Sequence, residues 1–279
     1  MVTKRTDYTA EAVEAARSVI LELTRLLGEY RDGIVIVGGW VPELLLSGAG
    51  HRHTGSLDVD LALDQNVLTE VGYKTILKLL VARGYRQGEQ SFIFFRTLQV
   101  GETIYEVEVD FLAGEYSGTG RRHRTQKVQD MQPRKARGCD LAFDQAVQIT
   151  LSGTLPEGGK DSVCIRVAAI APFLVMKAIA MANRLMEKDA WDIYYCIRNY
   201  PGGIERLAEE FHPLLKNKLT HEALMNLKEK FASPDHVGPK HVADFEEITD
   251  ADEGALLQRD AYERVNVLLT LLQRQETGR

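Results

Sequence analysis

The chain has 279 residues, 44% hydrophobic and 27% charged, with 23 Gly and 8 Pro, which fits one or two globular domains and excludes collagen-like, low-complexity and largely disordered classes. No apolar run approaches the roughly 18 residues of a bilayer span, and Lys4 and Arg5 lead into Thr, Asp and Glu, so a cytoplasmic protein with no membrane partner is expected. The formal charge of -6 argues against a protein that coats nucleic acid over its whole surface.

From Ala10 to Tyr30 the apolar positions Val13, Ala16, Ile20, Leu23 and Leu27 step by three and four, which predicts an amphipathic helix ended by Gly28 or Gly33. Ile34 to Val37 is a β-branched run bounded by Gly33 and by Gly38-Gly39, and reads as a buried strand. A short helix from Trp40 to Leu46 should follow, with Pro42 tolerated in its first turn. Ser47 to Ser56 reads as a loop leading to a strand at Leu57 to Leu63, and Asn66 is placed as the cap of a helix running through Val67, Val71, Ile76, Leu79 and Leu80 to Arg83. Ser91 to Val100 and Thr103 to Leu112, separated by Gly101-Glu102, form a hairpin signal. Cys139 to Leu151 and Ser162 to Val167 stay open between helix and strand, with a turn at Pro156. Beyond Ala169 the chain reads as helical, with breaks at Tyr200 to Gly203 and Ser233 to Pro239. This predicts an α+β chain: a small mixed sheet domain over 1–168, including a basic loop at 113–137, then a helical domain over 169–279, with the active site in the cleft between them.

Between Arg121 and Arg137, Arg121, Arg122, Arg124, Lys127, Arg134, Lys135 and Arg137 stand against the single acid Asp130. Such a stretch is either a solvated loop or a landing strip for phosphates on an otherwise acidic body. Cys139, Cys164 and Cys196 have no C-x-x-C spacing, so neither a disulfide framework nor a zinc knuckle is suggested, and at least two are expected to pack as small hydrophobes.

Leu57-Asp58-Val59-Asp60-Leu61 is the most informative segment. In a strand, residues at i and i+2 share a face, so Asp58 and Asp60 point together while Leu57, Val59 and Leu61 point into the core. Two adjacent carboxylates repel unless a cation lies between them, and hard divalent ions take oxygen ligands of this kind. Upstream, the strand ending in Gly38-Gly39 aims bare backbone N–H groups at an anion. Downstream, Ile104 to Phe111 alternates Tyr105, Val107, Val109 and Phe111 with Glu106, Glu108 and Asp110, so Asp110 at the strand end becomes a third candidate ligand, whereas Glu106 and Glu108 read as a solvent-facing row. His51 and His53 read as polar loop residues contacting phosphate or water, His236 and His241 as exposed, and Trp191 as a core anchor.

Strand-Gly38-Gly39, then Asp58-x-Asp60, then a strand ending in Asp110 resembles the nucleotidyltransferase superfamily that includes DNA polymerase beta. Lys177-Ala-Ile-Ala-Met-Ala-Asn-Arg184 followed by Lys188-Asp189-Ala-Trp-Asp192 resembles the lysine-to-aspartate motif of the AbiEii-type toxin nucleotidyltransferases. Read as one helix, Lys177, Arg184 and Lys188 are seven and four residues apart and share a face that would meet a triphosphate. The resemblance spans Ile34 to Tyr195. It implies catalytic roles for Asp58, Asp60, Asp110, Lys177 and Asp192, with Asp58, Asp60 and Asp110 holding two Mg²⁺ ions, or Mn²⁺ in their place. It further implies nucleotide binding by Gly38, Gly39, Ser56, Lys177, Arg184, Lys188 and Asp189, with Asp189 and Asp192 orienting the basic residues or acting as base.

The expected function is Mg²⁺-dependent transfer of a nucleoside monophosphate from an NTP to an RNA acceptor such as tRNA, contacted through the basic loop 121–137. The chain would then be the toxin of a toxin–antitoxin or phage-defence system with a cognate antitoxin. Two alternatives stand beside it: a small-molecule nucleotidyltransferase of the antibiotic-modifying type, for which Glu106 and Glu108 would receive a cationic acceptor, and a non-catalytic binding module.

Overall fold

The structure is a computed structural model and describes residues 4–48, 50–68, 74–115 and 123–277. The protein is mixed α/β and divides into two compact units, one comprising Tyr8–Val41 with Gly55–Ala169, the other Met1–Asp7, Pro42–Thr54 and Ile170–Arg279.

The first unit is built on an eight-stranded mixed sheet. Helix α1 (Ala10–Leu26) begins where the Thr9 side chain accepts from the Ala12 N–H, and it ends just before Gly28. It packs along the sheet, with Val19, Ile20, Leu21 and Leu23 among its buried residues. The strands are β1 (Ile34–Val37), β2 (Asp58–Leu63), β3 (Arg86–Gln87), β4 (Ile93–Val100), β5 (Thr103–Ala113), β6 (Arg134–Lys135), β7 (Ala146–Thr154) and β8 (Lys160–Ala168). Their order is β3-β4-β5-β2-β1-β8-β7, with β6 beside the end of β5. The β4–β5 hairpin closes at Gly101 as its turn chemistry requires. The two segments left open between helix and strand resolve into helix α4 (Cys139–Asp144) and the β7–β8 hairpin. Helix α2 (Trp40–Leu45) starts in this unit and ends in the other.

Two expectations fail here. Asn66 does not cap a helix: the Asp64 carboxylate accepts the Asn66 N–H at 2.9 Å and holds residues 64–68 in a turn, the local competition by which Asp side chains displace helix. Helix α3 (Ile76–Ala82) starts later, capped by Thr75, and Val71 lies outside the described residues. The basic segment is also more than a loop. Over 123–135 the chain doubles back, with the Gln126 N–H donating to Pro133 and the Lys135 N–H to Arg124. Val128 and Met131 are buried, and the buried Gln126 side chain donates to the Gly114 carbonyl. Arg121 and Arg122 lie outside the described residues.

The second unit is helical: α5 (Ile170–Asn183), α6 (Glu187–Asn199), α7 (Gly203–Phe211), α8 (Lys218–Lys230), α9 (Val237–Phe245) and α10 (Ala251–Thr277). Helix α6 contacts α5, α7, α9 and α10, so ten consecutive residues from Lys188 to Ile197 are buried, the charged ones included. Pro239 lies inside the first turn of α9 rather than in a break before it. His236 is half-buried, its Nδ1 3.0 Å from the Lys230 carbonyl oxygen, and His241 is half-buried too, so neither is the exposed loop residue expected. Among the described residues no helix is long and apolar enough to cross a membrane.

Candidate functional site

Strand pairing decides what the acids of the sheet unit face. β2 and β5 run parallel with Asp58 opposite Glu108 and Asp60 opposite Asp110. Paired residues share a pleat, so these four carboxylates stand on one face of strands about 4.8 Å apart, while Val59, Leu61, Val107, Val109 and Phe111 fill the other, buried face. Glu106 and Glu108 separate here. Glu106 is exposed and accepts from Arg86 at 2.9 Å. Glu108 is half-buried, and burial together with the neighbouring Asp58 and Asp110 raises its carboxyl above the ordinary range, so it is no member of a solvated row.

The diglycine turn belongs to the same face. Val37 pairs with Asp60, and a Cβ on Gly38 would lie 1.8 Å from Asp60 Oδ2. Gly38 also sits at φ +70°, which disfavours any side chain. Its glycine therefore makes room for the Asp60 carboxylate; the expected reason was a phosphate. Asp58 is held by Ser56 Oγ, which donates to its Oδ1 at 2.5 Å, and by Trp40, whose Nε1 donates to its carbonyl oxygen at 2.7 Å. Gly39 and Ser56 are buried.

Asp110 is buried, and Arg134 Nη2 lies 2.6 Å from its Oδ2. Its Oδ1 is buried with no hydrogen-bond partner among the described residues. Burial raises the Asp110 carboxyl, Arg134 pulls it back, and Asp58 adds to the rise, leaving it above the usual aspartate range. Arg134 stood out in the sequence only as one of seven basic residues; its link to Asp110 depends on β6 joining β5. Carboxylate oxygens and an orphaned Oδ1 suit a hard divalent cation. Among the described residues, however, no three His, Cys, Asp or Glu side chains converge closely enough to hold a metal ion.

A second ionic centre lies wholly within the helical unit. Lys177 Nζ is 2.7 Å from both Asp189 Oδ1 and Asp192 Oδ2. Arg184 Nε donates to Asp189 Oδ2 at 2.9 Å, and Lys188 Nζ lies 2.9 Å from Asp192 Oδ1. The shared-face argument for these cations does not hold, because the helix breaks after Asn183 and resumes at Glu187. They converge through the aspartates instead: Lys177 and Arg184 on Asp189, Lys177 and Lys188 on Asp192. Burial alone would raise both acids, but Lys177 with Arg184 holds Asp189 below its ordinary value, and Lys177 with Lys188 holds Asp192 far below it. Burial lowers Lys177 while the two aspartates raise it more, so it remains a cation. The Lys177 and Lys188 side chains are nearly buried, whereas that of Arg184 is 55% exposed and presents its charge to solvent.

His53 departs most from its expected role. It is fully buried, its Nε2 lies 2.9 Å from Asp192 Oδ1, and its ring packs on Trp191 and Tyr195, both at 4.8 Å between centroids. Burial lowers its pKa to about 4, with Lys188 and Lys177 opposing the pull of Asp192. The ring is therefore neutral near pH 7 and must carry its proton on Nε2 to donate to a carboxylate. Trp191 is a buried anchor as expected, donating Nε1 to Glu246. His51 is exposed and its carbonyl accepts from the Tyr195 hydroxyl. Arg52 donates to Glu43 at 2.7 and 2.9 Å. All three cysteines are free thiols, with Cys139 and Cys196 buried.

No protein-family model matches this chain, and no curated protein matches it.

Proposed function

We propose that the protein is a Mg²⁺-dependent nucleotidyltransferase that moves a nucleoside monophosphate from an NTP to an RNA acceptor such as tRNA, releases pyrophosphate, and acts as a toxin restrained by a cognate antitoxin. The observation that carries this reading is the pairing of Asp58 and Asp60 with Glu108 and Asp110 on one face, beside a glycine turn shaped around Asp60. Asp58, Asp60 and Asp110 would hold the divalent ions, which when bound supply charge that offsets the phosphates. Asp110 would also activate the attacking hydroxyl by taking its proton. Lys177, Arg184 and Lys188 outnumber Asp189 and Asp192 within their centre, and that surplus positive charge suits a triphosphate. Lys127, Lys135 and Arg137, near the doubled-back segment, suit a polyanionic acceptor.

The test incubates the pure protein with each labelled NTP, Mg²⁺ and total RNA. Label should enter RNA with the wild type and fail to do so with Asp58→Asn or Asp60→Asn; undiminished transfer by both variants overturns the mechanism. Replacing Arg124, Lys127 and Lys135 with Ser should flatten the slope of log affinity for RNA against log salt by about one unit per lost phosphate contact. A small cationic acceptor is the second reading, favoured by the half-buried, charge-crowded Glu108. It predicts a normal reaction from the Ser triple variant and a damaged one from Glu108→Gln.

A further inference from the structure

Arg134 has no part in the transfer chemistry above, yet its placement is highly determined. Leu112 pairs with Arg134 and Ala113 with Lys135, and the Ala136 N–H donates to the Ala113 carbonyl at 3.0 Å. Behind β6 the chain doubles back on buried Val128, Met131 and Gln126. The Arg134 backbone is thus fixed to the sheet, while its side chain is 44% exposed and long enough to swing outward. At rest its guanidinium lies over the Phe92 ring, 5.8 Å from the centroid, with Nη2 on Asp110 Oδ2. Its charge offsets Glu108 as well as Asp110.

We propose that Arg134 is a tethered counter-ion that competes with a divalent cation for Asp110, so that the guanidinium must leave the carboxylate before metal can occupy it. This rests on reading the acid face as a metal site. A guanidinium and a divalent ion on one carboxylate place like charges a few Å apart, an arrangement that a buried, weakly screened position penalises. Once displaced, the planar fork has a natural partner in phosphate oxygens, which it matches with two parallel hydrogen bonds. Metal and nucleotide would then load together.

The test is a Mn²⁺ titration of the full-length protein without nucleotide, with free Mn²⁺ read by electron paramagnetic resonance. Removing a competitor that opposes binding should tighten it, and Arg134→Gln is expected to bind Mn²⁺ about tenfold more tightly than wild type. Arg134→Lys keeps the charge but loses the fork, so it should fall between the two; it also serves as the readout if Arg134→Gln does not fold. Adding Asp110→Asn to Arg134→Gln should abolish the gain. The latch is overturned by unchanged or weaker Mn²⁺ affinity in the folded Arg134 variants, by a gain that persists without Asp110, or by no Mn²⁺ binding in any variant. Labelled-NTP transfer measured in parallel separates the two ideas. Mg²⁺-dependent transfer with no affinity gain removes the latch alone, and an affinity gain without transfer from any NTP removes the transferase reading alone.

Discussion

The acid face of the sheet and the buried centre of the helical unit use the same side-chain chemistry in opposite proportions. On the sheet, Asp58, Asp60, Glu108 and Asp110 share a face with Arg134. In the helices, Asp189 and Asp192 are contacted by Lys177, Arg184 and Lys188. Asp110 and Asp192 are both buried and burial pushes both upward, yet Asp110 ends above the ordinary aspartate range and Asp192 far below it. Burial therefore does not decide the sign; the number of cations in contact does. In the first, Asp110 is contacted by one guanidinium among four acids; in the second, three cations meet two aspartates.

Removing a carboxylate should have opposite consequences in the two centres. Asp60→Asn and Asp110→Asn should lower transfer by about 10³-fold or more, equivalent to about 4 kcal/mol of barrier, while the melting temperature stays level or rises because like charges are relieved. A matching loss of stability would erase the contrast. Asp192→Asn should instead cost about 3 to 5 kcal/mol of stability, because it strands buried Lys177 and Lys188 without their counter-charge; the urea midpoint measures it. A shift below about 1 kcal/mol would show that water reaches that centre.

His53 sharpens the contrast through pH. Its folded pKa of about 4 lies below the ordinary 6.5, so the unfolded chain binds the extra proton between those values. Its stabilisation is complete above pH 6.5 and is lost as pH falls toward 4, by roughly 3 kcal/mol over that window. Urea unfolding from pH 7 to 4 should show this slope in wild type and a flatter one in His53→Gln. An equal slope in both would place the titrating group elsewhere. The smallest effect belongs to Gly38→Ala, about 2 kcal/mol from left-handed backbone strain and crowding of Asp60. In an Asp60→Ala background the same change should cost less, and strict additivity would show that Asp60 is not what Gly38 accommodates.

Local pattern carried much of this into the sequence. Alternation along Leu57 to Leu61 and Tyr105 to Phe111 fixes which residues share a face, since a strand has a period of two whatever it pairs with. Lys188 and Asp192, four apart on a helix, were equally legible. The failures were non-local or turned on one side chain: Asp64 captured the backbone that Asn66 was expected to cap, and the break at 184–186 undid a face drawn as one continuous helix.

The sequence by itself determined the mixed α/β class, the strands that carry Asp58, Asp60 and Asp110, the side each aspartate takes, and the helical character of the segments bearing Lys177 and Lys188 to Asp192, though not the break between them. Only the tertiary structure decided that Asp60 faces Asp110 and Asp58 faces Glu108, that Arg134 closes on Asp110, and that His53 is buried on Asp192, 139 residues away. The physical reason is that periodicity is a property of neighbours along the chain. Register, charge compensation and burial arise between segments whose separation in sequence carries no trace of their contact.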